Sequence, residues 1–135
     1  VVKKYSFPEK YQAKIAQALS DLGFSLSEPR ALAAAVKKLS DHYQNDAKTT
    51  PWRDRAMTAA YFAYFLPLNY IRNRKVFDEV ARFGAALEFD DYIDFGFGLG
   101  SGLLAARDAG VVNDSHHLHA LDIANEPIDL FTRFL

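Results

Sequence analysis

Apolar positions along this chain follow a helical period through its first two thirds and then change. Between Phe7 and Leu22, the residues Tyr11, Ile15, Ala18, Leu19 and Leu22 recur at helical spacing. Pro8 suits a first turn there, and Gly23 suits the residue just past a helix end. Ser27 predicts the cap of a second helix, with Glu28 and Pro29 in its first turn and Leu32, Ala35, Val36 and Leu39 on its buried face. Asp41–Thr49 is polar and reads as a loop or a frayed end. Thr50 and Pro51 predict the start of a third helix, which is apolar almost all round from Ala56 to Leu66, the mark of a helix enclosed by others. Pro67 should break or kink it. A fourth helix is expected from Leu68 to Phe83, with Ile71, Val76, Phe77, Val80 and Phe83 inward, Arg72, Arg74, Lys75, Asp78, Glu79 and Arg82 outward, and Gly84 ending it.

Beyond that point the pattern is that of strands and helices in alternation. Asp91–Phe95 reads as a strand, Ser101–Asp108 as a helix and Leu118–Asp122 as a second strand. Asn125 is the expected cap of a further helix that begins with Glu126 and Pro127. A β-α-β-α order predicts a parallel sheet with right-handed crossovers. The fold class is therefore α/β: a helical N-terminal domain over 1–85, then over 86–135 the start of a doubly wound, Rossmann-like domain. Its first strand would lack a neighbour on one edge and cover on its apolar faces, which parallel sheets tolerate poorly. The expectation is that the chain is an N-terminal fragment of a longer protein, or that it self-associates through the unpaired sheet edge.

Composition narrows the classes. Half of the 135 residues are hydrophobic, enough for a packed core, and there is no cysteine, which excludes disulfides and thiolate metal sites. The most apolar run, Met57–Ile71, is shorter than the ~20 residues a bilayer requires and contains Pro67, so no membrane partner is expected. The net charge of −1 conceals a split: residues 1–85 hold 14 Lys and Arg against 8 Asp and Glu, and residues 86–135 hold 2 against 9. Arg53, Arg55, Arg72, Arg74 and Lys75 fall in the basic half among many aromatics. They read either as the solvated face of a buried aromatic core or as a surface for RNA phosphates.

The densest chemistry lies in Asp91–Gly102, DYIDFGFGLGSG, where a strand runs through three alternate glycines into a helix. Glycines let backbone pass close to a ligand, and the helix N-terminus faces the same place. A phosphate-binding P-loop would need Lys after the glycines, and none follows. The dinucleotide pattern Gly-x-Gly-x-x-Gly fails too, because its last position is Ser101 or Leu103. What remains is Asp-x-Gly-x-Gly-x-Gly, formed by Asp94, Gly96, Gly98 and Gly100, with Asp122 ending the next strand 22 residues after Gly100. A structural βαβ turn would use glycines as well. Phe97 and Leu99 are bulky and would narrow a pocket here. His116, His117 and His119 suggest a metal, but without a fixed carboxylate pattern they read as loop and strand-edge residues, and no metal site is assigned.

The spacing of Asp94, Gly96, Gly98 and Gly100 resembles motif I of the class I S-adenosylmethionine-dependent methyltransferases. The resemblance implies S-adenosyl-L-methionine as cofactor: glycine backbone along its amino-acid tail, the acid near its ammonium, Asp122 on the ribose hydroxyls and Ile123 against the adenine. A narrower likeness lies in Tyr61, Ala63, Leu66, Pro67 and Tyr70, a Tyr-x-Ala-x-x-Leu-Pro-x-x-Tyr run ahead of motif I. It is similar to the ribosomal small-subunit methyltransferase-like family, the mitochondrial ribosome-assembly proteins and their bacterial relatives. The matching pieces span roughly Trp52–Leu135. They imply a methyltransferase acting on, or associated with, small-subunit ribosomal RNA in the cytoplasm, or in the mitochondrial matrix of a eukaryote. The alternative is a non-catalytic ribosome-assembly factor that keeps the fold. Acceptor-binding residues of the class usually follow the fourth strand, so no catalytic residue is assigned.

Overall fold

The computed structural model of the chain describes residues 4–45, 49–82 and 88–135. Its elements are α1 (Glu9–Asp21), α2 (Pro29–Gln44), α3 (Arg55–Ala60), a π-helical stretch (Tyr61–Phe65), α4 (Leu66–Arg82), β1 (Asp91–Phe95), α5 (Ser101–Asp108), β2 (His117–Leu121) and α6 (Glu126–Phe134). Phe83 and Gly84, the expected end of the fourth helix, lie outside the described residues, as does the boundary expected at 85 and 86.

α1 ends as its sequence predicts. Gly23 takes φ +83°, its N–H bonds to Ser20 O at 2.9 Å, and Phe24 N–H reaches back to Leu19 O at 2.8 Å, which closes a Schellman motif. The starts of the next two helices differ from expectation. The Ser27 hydroxyl pairs with that of Ser25 at 2.7 Å, so α2 opens on Pro29 without a side-chain cap. α2 also runs on to Gln44, through what reads as loop in the sequence. There Lys37 pairs with Asp41 one turn on, and the Tyr43 hydroxyl lies 2.6 Å from Thr50 Oγ1. That contact occupies Thr50. Asp54 caps α3 instead, its Oδ1 accepting from Ala56 N–H at 3.0 Å and Met57 N–H at 3.1 Å. The Lys38 ammonium and these amides hold the Asp54 carboxyl below the usual carboxylate range. At α6 the Asn125 side chain makes no cap; its backbone carbonyl accepts from Ile128 and Asp129.

Pro67 does not break the helix. Proline removes the bond to residue i−4 and crowds that carbonyl, and here the turns just before it are widened. Tyr61–Phe65 is π-helical, and Leu66 N–H bonds to Tyr61 O five residues back. The helix therefore runs from Arg55 through Pro67 to Arg82.

The helical part and the β-α-β-α part share one core. Tyr11, Ile15 and Leu19 of α1 and Phe62, Leu66 and Tyr70 pack in one cluster with Leu99, Leu104 and Ala105, and Phe131 and Phe134 of α6 lie against it. Asp108, at the end of α5, fastens the parts together: it accepts from Tyr70 Oη at 2.8 Å and Tyr11 Oη at 3.2 Å, and it pairs with Lys10.

β1 and β2 pair in parallel, Asp91 opposite His117 through Phe95 opposite Leu121, so β2 begins one residue earlier than expected and Asp122 stands just past its end. Among the described residues this sheet has two strands. Period-2 alternation sends Tyr92, Asp94 and Ala120 toward the helices. Ile93, Phe95 and Leu121 face the other way, at 51%, 77% and 46% exposure, so that face is uncovered. Among the described residues no helix is long and apolar enough to cross a membrane.

Candidate functional site

The turn after β1 owes its shape to its glycines. Gly96, Gly98 and Gly100 take φ values of +68°, +53° and +69°, a region L-residues with a Cβ seldom enter. The alternation throws Phe97 and Leu99 into the core, at 4% and 1% exposure, so Leu99 does not narrow a pocket as expected and Phe97 contributes only a buried wall. Gly96 and Phe97 both donate to Leu121 O, at 2.8 and 3.0 Å, which joins the turn to the end of β2.

Asp122 is fixed by that junction. Its Oδ2 accepts from Gly98 N–H at 2.8 Å and its Oδ1 from Ala124 N–H at 3.1 Å. Each oxygen keeps a further lone pair, so an oriented pair of acceptors remains for a ligand. Asp122 and Ile123 line an open cleft of about 650 Å³, with Gly96 and Gly98 on its floor and Trp52 and Tyr61 arriving from the helical part. That volume is within the range of small-molecule and cofactor sites, ~300–1,000 Å³. Gly100 stands apart: a Cβ on it would lie 2.6 Å from the Phe131 ring and 2.7 Å from Phe97, so its role is close packing.

Asp94 lies in a second cleft of about 370 Å³, walled by β1, the turn, the start of α5 and one face of α4. Its Oδ2 is buried without a hydrogen-bond partner among the described residues. Burial pushes the Asp94 carboxyl up from the usual carboxylate range, with the Leu103 N–H at the α5 N-terminus offsetting part of it. Gly102 has to be small here, because a Cβ would lie 2.8 Å from that oxygen.

Tyr61 stands between the clefts and lines both. Its ring packs on Trp52 with centroids 4.8 Å apart, and its hydroxyl lies 2.6 Å from where a Cβ on Gly98 would be. Burial pushes the hydroxyl up to about 12, the charges of Asp122 and Asp94 add to this, and a hydrogen bond from Asn69 opposes it.

Of the five basic residues expected to meet RNA, four make separate local contacts. Arg53 pairs with Glu126 at 3.1 Å on the rim of the larger cleft. Arg55 donates to Asp21 O at 3.0 Å near the end of α1, and Arg74 pairs with Asp78 at 3.1 Å. Lys75 lies over the Tyr5 ring, 5.8 Å from its centroid. Arg72 is exposed and lines the smaller cleft. The histidines divide. His116 stacks on Phe89, centroids 4.4 Å apart, while His119 and His117 share the outer sheet face with Asp91 at 2.8 and 3.5 Å. Among the described residues no group of three or more His, Cys, Asp or Glu is placed to hold a metal ion.

Of the residues expected at a cofactor site, Asp94, Gly96, Gly98, Asp122 and Ile123 line the two clefts, and Trp52, Tyr61 and Asn69, which carried no such expectation, line them too. Nothing local marks those three, because only the packing of the long helix against the turn brings them there. Comparison of the chain with family models, with curated proteins and with solved structures finds no match. The class rests on the geometry itself: a mixed helix-and-strand chain with a parallel strand pair and a strand–glycine-turn–helix unit.

Proposed function

We propose that this chain holds S-adenosyl-L-methionine in the first β-α-β-α of a Rossmann-like methyltransferase domain, with small-subunit ribosomal RNA as the acceptor class. The observation that carries the reading is the fixing of Asp122 beside the glycine turn. Two backbone N–H groups orient a carboxylate into a cleft of cofactor size, with an acceptor free on each oxygen for a pair of vicinal hydroxyls. Ile123, 87% exposed, offers an apolar surface for a base on the same wall, across from Trp52. Asp94 fits the other end of the ligand, since a buried carboxylate oxygen without a partner suits an ammonium donor. The cofactor would supply an electrophilic methyl group; the chain's own residues bind and orient it.

Trp52 is the only tryptophan in the chain and lines the larger cleft, so its emission reports on occupancy. Titration with S-adenosylmethionine should change that emission and saturate. Asp122→Asn, which turns one acceptor oxygen into a donor aimed at an N–H or a hydroxyl, should weaken binding by roughly 10-fold or more. A flat titration together with no heat in calorimetry would refute the reading. One observation favours the second reading, an assembly factor that keeps the fold without turnover. The Tyr61 hydroxyl already fills the space that the absent side chain of Gly98 leaves. Saturable cofactor binding with no methyl transfer to small-subunit RNA would decide for it.

A further inference from the structure

The smaller cleft has a polarity that the sequence does not suggest. One wall carries Asp94, whose Oδ2 is buried and unpartnered among the described residues. The facing wall belongs to α4, where Asn69, Arg72 and Asn73 follow the i, i+3, i+4 spacing that sets side chains on one helix face. Asn73 Nδ2 donates to Ser101 Oγ at 3.3 Å, which seats that face against the start of α5. Arg74 and Lys75, its neighbours in sequence, are engaged with Asp78 and Tyr5. Arg72 lines the cleft, and its guanidinium has no hydrogen-bond or ion-pair partner among the described residues.

We propose that Arg72 and Asp94 together form a subsite for the α-amino-acid end of the ligand, the guanidinium receiving its carboxylate and Asp94 its ammonium. The proposal rests on the cofactor reading above and takes Arg72 out of the RNA-contacting set. A guanidinium presents parallel N–H donors that match a carboxylate. A phosphate at Arg72 would instead bring negative charge toward Asp94, which a carboxylate with one oxygen unpartnered opposes. A zwitterion satisfies both walls at once and adds no net charge. The subsite therefore selects ligands with a free amine and a free carboxylate on one carbon. It would discriminate against a nucleoside that fills only the Asp122 end.

The test compares S-adenosylhomocysteine, which carries the amino-acid tail, with 5′-methylthioadenosine, which lacks it, by Trp52 emission and calorimetry. The native protein should bind the tailed ligand more tightly. Arg72→Gln should weaken that ligand by roughly 10- to 100-fold, the range of a charge-assisted hydrogen bond, and leave methylthioadenosine unchanged. Arg72→Lys should recover part of the loss, because it restores the charge without the fork. Arg72 is exposed, so its variants should melt with the native protein. Equal affinity of the two ligands for the native protein would overturn the tail subsite and leave the nucleoside reading standing. So would a loss on Arg72→Gln that is the same for both. Binding of neither ligand would overturn the cofactor reading and the subsite with it.

Discussion

Gly98→Ala is the substitution that most sharply tests how the turn and the long helix fit together. Two costs are expected. The first is conformational: Gly98 has φ +53°, and placing a Cβ in the left-handed region costs ~1–2 kcal/mol. The second is steric: the new Cβ would lie 2.6 Å from the Tyr61 hydroxyl oxygen, inside contact distance. The Tyr61 ring is held by Trp52 at 4.8 Å and Phe65 at 5.8 Å, so it cannot swing away freely. Moving it strains the packing by ~1–3 kcal/mol and costs about 1 kcal/mol for the hydrogen bond from Asn69. Gly96→Ala is the internal control. Gly96 has φ +68° with nothing within 4 Å of its Cβ position, so it carries the first cost alone. Urea denaturation followed by circular dichroism should place Gly98→Ala roughly 2–4 kcal/mol below Gly96→Ala. Tyr61→Phe removes the clashing oxygen and leaves the ring Cζ at 3.4 Å, an ordinary contact. In that background the two alanine variants should converge. Equal losses for Gly96→Ala and Gly98→Ala in the native background, or no convergence in the Tyr61→Phe background, would refute the placement of Tyr61 over the turn.

Two further predictions concern the half-buried carboxylates of Asp94 and Asp108. Burial raises the Asp94 pKa above its ordinary 3.8, so between that value and its folded value the folded protein keeps a proton that the unfolded chain releases. Stability then falls as pH rises through the window, and Asp94→Asn should be more stable than the native protein above it, the difference vanishing below 3.8; thermal melts across that range test this, and a constant difference would count against it. Asp108 is the opposite case: burial pushes it up, but Lys10, Tyr70 and Tyr11 outweigh that, and its pKa lies below the ordinary 3.8. Asp108→Asn should cost ~2–3 kcal/mol at neutral pH, and the cost should shrink as pH falls through the lowered pKa, a trend denaturant titrations at several pH values would show or exclude.

The sequence made the β-α-β-α order legible because the change of apolar period and the glycine run are local signals. The same is true of Gly23, whose left-handed conformation follows from its place after an amphipathic stretch. Helix starts were less legible, because several residues compete to cap. Thr50 and Ser27 suit a cap by residue type, but the Thr50 hydroxyl is engaged by Tyr43 and that of Ser27 by Ser25. Pro67 misled for a related reason, since the rule that proline ends a helix assumes regular turns before it. Within the site, Asp94 and Asp122 were readable from their positions at strand ends. The directions of Phe97 and Leu99 depend on backbone angles at the glycines, and the approach of Trp52, Tyr61 and Arg72 depends on tertiary packing.

The π-helical stretch has a consequence for how this segment can vary. Each α-helical residue turns the chain by about 100°. In a regular helix Asn69 and Asn73 would lie about 80° and 120° round from Tyr61. The extra residue accommodated in the widened turn takes out about 100°, which leaves both within about 20° of Tyr61. The tyrosine and its two amide companions face the same cleft only because one turn is over-filled. Deleting a single residue between Phe62 and Phe65 would restore a regular helix with Tyr61 seven and eleven residues ahead of Asn69 and Asn73, which keeps both within about 20° of Tyr61. The widened turn therefore lets the helix carry one residue more than a regular one without turning Tyr61 from the cleft, and none of the residues after Tyr61 in that stretch lines either cleft.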